Sequence, residues 1–399
     1  MLSTPAEVDR LIRDNTAPLP AEDCPLAQAH GRVLRSPLKA DRDLPPFDRV
    51  TMDGYALRAG AGRVFDVTGT QAAGMVPLAI KNAGECIEIM TGASLPAGAD
   101  CVVPYEETSR DGPTITLSTT AHLAPGASIH RRGSDAIAGK ELVATGTRLT
   151  GREIAVAASV GAATLSVAMR PSVAVIATGD ELVEVDYAAL APHQIRKSND
   201  YALRAALLSS GLVSRAERFH LRDLPHEIEA TLQRLVSGFD IILLTGGVSK
   251  GKFDHIPAAL AKLGVAKKIH GVAQRPGKPF WFGVTPRHTP VFALPGNPVS
   301  AYTCLHRYVF PALERLAGRT PAAPDYVTVS APVRVASPLA FLLPVTLTSS
   351  PDGHRTAAPI SFNTSGDFAG LIGTDGFVEL PPGPADFPAN TVAKFWRWC

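Results

Sequence analysis

Three short segments of this chain, PSVAVIATGDEL (171–182), FDIILLTGG (239–247) and PVFALPGNP (290–298), are apolar at consecutive rather than alternate positions. Strands of that kind must be buried on both faces, which is the condition of a parallel sheet covered by the helices that connect its strands. Helical stretches do lie between them. SNDYALRAALLSSGL (198–212) is amphipathic and closed by Gly211, and Leu-rich residues 224–236, HIPAALAKLG (255–264) and VSAYTCLHRYVFPALERLAG (299–318) complete the set, with FWFGV (280–284) as a further strand. The alternation predicts an α/β domain with a parallel sheet over residues 171–319.

The flanking regions follow other periods. Thr4-Pro5-Ala6-Glu7 has capping-box spacing with proline at the first helical position, and apolar Val8, Leu11 and Ile12 follow at helical intervals, so a short helix begins the chain. From about 40 to 170, short β-branched runs such as RVFDVTGT, ECIEIMTGA, DCVVPYEE and PTITLST are broken by Gly and Pro and read as β. After the Pro/Ala-rich TPAAPDY, the segments YVTVSAPVRV, AFLLPVTLTSS and GFVELPPG predict a small β domain from 320 to the end. At 399 residues, 45 % hydrophobic and 19 % charged, the chain has material for several packed domains.

Composition also excludes. The formal charge is +2 with no basic run, which argues against a nucleic-acid partner. Apolar stretches such as Ile241 to Leu244 fall far short of the ~20 residues that a membrane span needs, and the start MLSTPAEVDRLIRDN has no signal-peptide pattern. Five scattered cysteines and eleven histidines form no metal-binding spacing, so reduced thiols in a cytoplasmic protein are expected.

Ligands of open α/β sheets bind at the carboxyl ends of the strands, and three strands here end in unusual loops. In ATGDEL, Thr178 and Gly179 turn the chain beside Asp180 and Glu181; the pair suits a cation or a ribose hydroxyl, or simply the start of a helix. In LTGGVSKGKFD, Gly246 and Gly247 let backbone N–H groups approach an anion, Ser249 adds a hydroxyl, and Asp254 beside Lys250 and Lys252 suits a metal-bridged phosphate. In ALPGNPVSA, the rigid turn from Pro295 through Asn297 to Pro298 opens a helix at Val299-Ser300 whose amides suit an oxyanion. In RPGKPFWFG, Arg275 and Lys278 flank a tight turn and suit a tetrahedral oxyanion, although a solvated surface pair is the plainer outcome. Asp48 and Asp53 in PPFDRVTMDGYALR, and Thr91 in MTGASLPAG, stand in turn-rich loops for which a structural role is the default.

Seven segments in this order, LPPFDRVTMDGYA, IMTGASLPAGADCVVPYEE, RRGSDAIAGKELVATGTRLT, VIATGDEL, ILLTGGVSKGKFD, RPGKPFWFG and LPGNPVSAY, resemble the MoeA family, most clearly over residues 41–302. The resemblance implies a multidomain α/β plus β fold. Its parts would be an elongated linker domain (1–40 and 140–170), an inserted β-rich domain (41–139), a MogA-like α/β domain (171–319) and a C-terminal β-barrel-like domain (320–399). It implies a transferase that inserts molybdate into adenylylated molybdopterin with magnesium-dependent release of AMP, completing molybdenum cofactor synthesis. A homodimer is implied, each site lying between the α/β domain of one copy and the MDGYA domain of the other. Contacts with a MogA-like adenylyltransferase and with target molybdoenzymes would follow.

Carried over by motif position, Asp254, Asp223 (in LRDLP) and Glu181 would hold Mg2+ at the cleaved phosphate. Asp53 and Thr91 would come from the partner copy, and Gly246, Gly247 and Ser249 would cradle the nucleotide. Arg275, Lys278, Asn297, Pro298 and Ser300 would bind the remaining substrate, with molybdate held by Arg275, Lys278 and Ser300. The chain departs from the family in three places: Arg275 stands for a usual Lys, Lys252 for a frequent acidic residue, and FLLPV lacks an arginine that many members carry after the Phe. Two other readings compete. An α/β-only adenylyltransferase or CinA-like enzyme would share the TGG loop but not the MDGYA and MTGA segments, and a non-catalytic carrier would have no need of Asp53, Glu181, Asp223 and Asp254 together.

Overall fold

The computed structural model describes residues 2–247, 255–360 and 364–398. The chain forms two compact units, one of residues 1–36, 145–150 and 164–399 and the other of 37–144 and 151–163. Among the described residues, no helix is long and apolar enough to cross a membrane.

The larger unit is built on a six-stranded sheet in the order Arg215–Leu221, Ser172–Thr178, Ile241–Thr245, Pro290–Leu294, Trp281–Val284, Ala266–His270. The first four strands are parallel. Neighbouring residues of one strand feed opposite cores. Val173 and Val175 pack with Leu203 and Leu207 on one face, whereas Ala174 and Ile176 pack with Ile228, Leu232 and Leu260 on the other. This is why the strand is apolar without alternation.

The sheet departs from the expected parallel pattern at one edge. Trp281–Val284 runs antiparallel to Pro290–Leu294, and Ala266–His270, for which the sequence suggested no element, runs antiparallel to Trp281–Val284. The five residues between Val284 and Pro290 are too few for a crossover helix, so the chain must turn back as a hairpin, closed by the Thr285 to Thr289 backbone bond at 3.0 Å. Exposed Lys267 and Lys268 lie on the edge strand, where charge discourages pairing with another chain.

Thr4 and Glu7 form the expected capping box, and helix Pro5–Asp14 buries Val8 and Ile12 in the core that also holds Val173. The last helix of the sheet domain carries a π turn over Leu305–Val309. That turn presents Arg307, whose side chain is 3 % exposed, to Asp9 of the first helix (2.6 and 2.9 Å) and Glu379 of the C-terminal region (3.0 and 3.3 Å). Its guanidinium also lies 4.4 Å from the Trp396 ring centroid. Burial opposes the charge, but the Asp9 hydrogen bond and the Glu379 charge outweigh it and hold the pKa above the ordinary arginine value.

C-terminal strands Ala340–Ser349, Arg355–Pro359, Asp325–Val329, Val392–Arg397 and Gly376–Leu380 close into a five-stranded barrel, because the first and last of that order also pair. Val327, Val345, Val378 and Phe395 fill it.

The smaller unit contains a six-stranded sheet in the order Cys101–Pro104, Gly54–Leu57, Glu85–Ile89, Val64–Gln71, Thr114–Leu117, Thr108–Asp111. Gly54 is obligatory there, since a Cβ would meet the Val103 carbonyl oxygen at 2.0 Å.

Arg307→Ala should lower stability by about 3–5 kcal/mol, because it leaves the largely buried Glu379 carboxylate without its ion pair. Asp9→Ala should cost only about 1 kcal/mol, since Asp9 is 41 % exposed and leaves Arg307 its other partner. Urea unfolding followed by circular dichroism checks the difference; equal effects would contradict it.

Candidate functional site

The parallel strands Ser172–Thr178 and Ile241–Thr245 and the neighbouring Pro290–Leu294 all end at one cavity of about 520 Å3. Its walls are the loops that the sequence singled out. Glu181, Asp223, Gly246, Gly247, Asn297 and Pro298 all line it.

The loop geometry explains the glycines. Gly246 and Gly247 adopt φ of +90° and +66°, in the left-handed region. A Cβ on Gly246 would stand 2.7 Å from the Thr178 hydroxyl, and one on Gly247 would stand 2.8 Å from Ile256. Gly179 is likewise left-handed, and the Glu181 carboxylate folds over it, 2.4 Å from where a Cβ would be.

Of the two adjacent carboxylates in ATGDEL, only Glu181 faces the cavity. Asp180 instead accepts from the Asp223 backbone N–H at 3.1 Å, with Arg222 3.7 Å away, and so ties the loops that carry Glu181 and Asp223. Glu181 and Asp223 are hard oxygen donors on two tethered loops, a set suited to a divalent cation that also binds phosphate. Ser249 and Asp254 fall outside the described residues, as do Lys250 and Lys252.

At the third loop, Asn297 donates to the Ser365 hydroxyl at 2.7 Å, and the Val299 amide donates to the Ser365 carbonyl at 3.0 Å. Thus Ser365, from the C-terminal region, already engages one of the amides at this helix start, and Gly366 beside it lines the cavity. Ser300 is buried at 4 % exposure and is not among the lining residues.

Arg275 and Lys278 are also outside the cavity wall. They flank a turn fixed from beneath: Gln274 is fully buried, accepts from the Tyr308 hydroxyl and donates to the Pro276 carbonyl at 3.2 Å. Gly277, at φ +96°, has no room for a Cβ, which would meet Cys304 Sγ at 2.6 Å. Lys278 is exposed, and the Arg275 guanidinium lies over the Phe341 ring.

Asp53 and Thr91 belong to the smaller unit. The Thr91 hydroxyl and backbone N–H both donate to Asp53 Oδ1 at 2.6 Å, and these bonds, the hydroxyl's first, hold the exposed Asp53 below the ordinary carboxylate pKa. Asp48 of the same region instead pairs with Arg131 at 2.7 Å.

Among the lining residues that escaped the sequence reading are Asn199 and Lys197. Asn199 donates to the Thr245 hydroxyl at 3.0 Å and the Gly296 carbonyl at 2.7 Å, bracing two of the loops. Lys197 is buried, pairs with Glu184 at 2.5 Å and brings a cation to the cavity. Both stand before or at the start of helix Asn199–Ser209, where polar residues read as capping, although helix starts at the carboxyl ends of strands are where anions bind.

Family models match three regions in order: the MoeA N-terminal region (domain I and II) at residues 4–161, a probable molybdopterin binding domain at 174–315, and the MoeA C-terminal region (domain IV) at 326–398. A molybdopterin molybdenumtransferase of Synechocystis is 38 % identical over 375 residues, covering 93 % of each chain. One from Staphylococcus epidermidis is 32 % identical over 378 residues, covering 92 % of this chain and 88 % of that one. Two solved structures of the molybdopterin biosynthesis MoeA protein from Pyrococcus horikoshii align over all of both chains, at TM-scores of 0.82 and 0.84 with 30 % and 25 % identity. A match that runs through the regions before and after the sheet domain is not that of an α/β-only enzyme. The chain belongs to the MoeA family.

Proposed function

We propose that this chain is a transferase that loads molybdenum onto molybdopterin: water cleaves the phosphoanhydride of adenylylated molybdopterin, AMP leaves, and molybdate passes to the dithiolene, giving up one oxygen as water with the two thiol protons. The observation that carries this reading is the cavity at the strand ends, where Glu181 and Asp223 face two glycines held in left-handed turns. Family membership along the whole chain supports it, because the relatives so named share every region.

Magnesium is the metal that this reaction implies; among the described residues no group of three or more His, Cys, Asp or Glu is placed to hold an ion, and two carboxylates line the cavity. Glu181 and Asp223 would supply carboxylate oxygens, with Asp254 as a proposed third, and such an ion completes its shell with waters and phosphate oxygens. When bound, it supplies neutralisation of the charge on the cleaved phosphate. Gly247, with Ser249, cradles the nucleotide phosphates through backbone N–H groups, while Gly246, whose own N–H bonds the Leu294 carbonyl, shapes the turn, and Lys197 and the turn Asn297-Pro298 line the same cavity. Arg275 and Lys278, with Ser300 nearby in the chain's third loop, hold molybdate, a dianion that needs charge-assisted donors.

Asp53, oriented by its hydrogen bonds from Thr91, would complete the site from a second copy of the chain, which makes the proposed working form a homodimer. The protein acts in the cytoplasm, receiving its substrate from a MogA-like adenylyltransferase and passing its product to molybdoenzymes.

Asp223→Asn and Asp254→Ala should each reduce AMP release by roughly two orders of magnitude or more, the scale of losing a group that stabilises transition-state charge. Thermal melting should stay within a few degrees of the parent, because loop carboxylates contribute little to packing. Full turnover in either variant would defeat its assigned role.

Mixing inactive Asp53→Ala with inactive Asp254→Ala should restore about a quarter of parental AMP release after subunit exchange. Half the dimers are then mixed, and each mixed dimer keeps one intact site. No recovery, with exchange confirmed by mass-tagged subunits, would rule out a site shared between copies.

A further inference from the structure

Arg275 ends a two-residue strand, Gln274–Arg275, that runs parallel to the start of barrel strand Ala340–Ser349, with Gln274 beside Ala340 and Arg275 beside Phe341. That register sets the guanidinium carbon 4.2 Å from the Phe341 ring centroid. Three other arginines lie over rings of the barrel: Arg307 over Trp396 and Arg355 over Phe395 are paired with carboxylates, Asp9 and Glu379 in one case and Asp325 in the other, whereas Arg397, at the surface over Phe395, has no ion pair among the described residues. Arg275, like Arg397, has the ring without the carboxylate. Among the described residues none forms an ion pair with it, and its Nε is buried with no hydrogen-bond partner.

A ring face attracts a guanidinium without cancelling its charge and without consuming its N–H groups, which lie in the guanidinium plane. A carboxylate in the same place would do both, and would compete with any incoming anion. The backbone beneath is already fixed by buried Gln274 and by the absence of a Cβ at Gly277, so the remaining freedom is in the Arg275 side chain, and the ring removes it.

We propose that Phe341, from the C-terminal barrel, is a positioning residue for Arg275, holding an unneutralised guanidinium whose terminal amino groups meet a tetrahedral oxyanion. The inference rests on the reading above that Arg275 and Lys278 hold molybdate. It gives the barrel a part in anion affinity, and it accounts for arginine at position 275, since a lysine ammonium has no plane to stack.

The test measures AMP release and molybdenum incorporation against molybdate concentration for the full-length parent and for Phe341→Leu, Phe341→Tyr and Arg275→Ala. Phe341→Leu should raise the half-saturating molybdate concentration roughly threefold to tenfold, the scale of a partly desolvated cation–π contact. The rate at saturating molybdate should change less than that, and Phe341→Tyr, which keeps the ring, should stay within about twofold of the parent. Equilibrium dialysis with molybdate alone reads the same shift without turnover, so a general loss of activity or of folding is not mistaken for it. If Arg275→Ala weakens molybdate binding and Phe341→Leu does not, the positioning role is overturned and the anion site stands. If Arg275→Ala itself binds molybdate like the parent, the anion site is wrongly placed and the inference falls with it.

Discussion

A buried guanidinium needs carboxylates, and Arg307 takes them from two distant parts of the chain. Asp9 lies on the first helix and Glu379 on a barrel strand, while Arg307 itself is presented by a π turn in the helix that closes the sheet domain. Desolvating such a charge costs several kcal/mol unless the partners are held in place, so the ion pairs favour one arrangement of these three elements over looser ones. The consequence reaches the site. With the barrel seated this way, Ser365 bonds Asn297 and Val299, Gly366 lines the cavity, and Phe341 reaches Arg275.

The site keeps Arg275 and Lys278 apart from its carboxylates, although Arg196 and Lys197, the latter paired with Glu184, line the cavity with them. Glu181 and Asp223 line the cavity on loops tied together through Asp180, which suits a cation bridging to phosphate. Arg275 and Lys278 sit on a different turn, next to the barrel and outside the cavity wall. A single mixed cluster would let these groups neutralise one another. Kept apart, the carboxylates remain available to a metal ion at the phosphoanhydride and the guanidinium to the molybdate oxyanion.

Much of this was legible in the sequence, for identifiable reasons. Strands such as Ser172–Thr178 announce themselves because burial on both faces leaves no polar position, and Gly246 and Gly247 announce a turn that only glycine can make. The antiparallel edge was hidden because Ala266–His270, with two adjacent lysines in five residues, lacks the apolar run of a buried strand. Arg307 was hidden for a deeper reason: in HRYVF it looks like one polar position of an amphipathic helix, and its partner Asp9 is 298 residues away. Asn199 and Lys197 read as helix-start residues because their work, bracing Thr245 to Gly296 and bringing charge to the cavity, exists only once the loops have converged.

The account's central claim is that phosphoanhydride cleavage and molybdenum transfer are one coupled event on this chain. Its most direct test supplies purified protein with adenylylated molybdopterin, molybdate and magnesium, then counts AMP released and molybdenum held by the pterin. The account predicts about one AMP for each molybdenum incorporated, and neither without magnesium. Rapid AMP release with no molybdenum gained, or molybdenum gained with the adenylate intact, would contradict it.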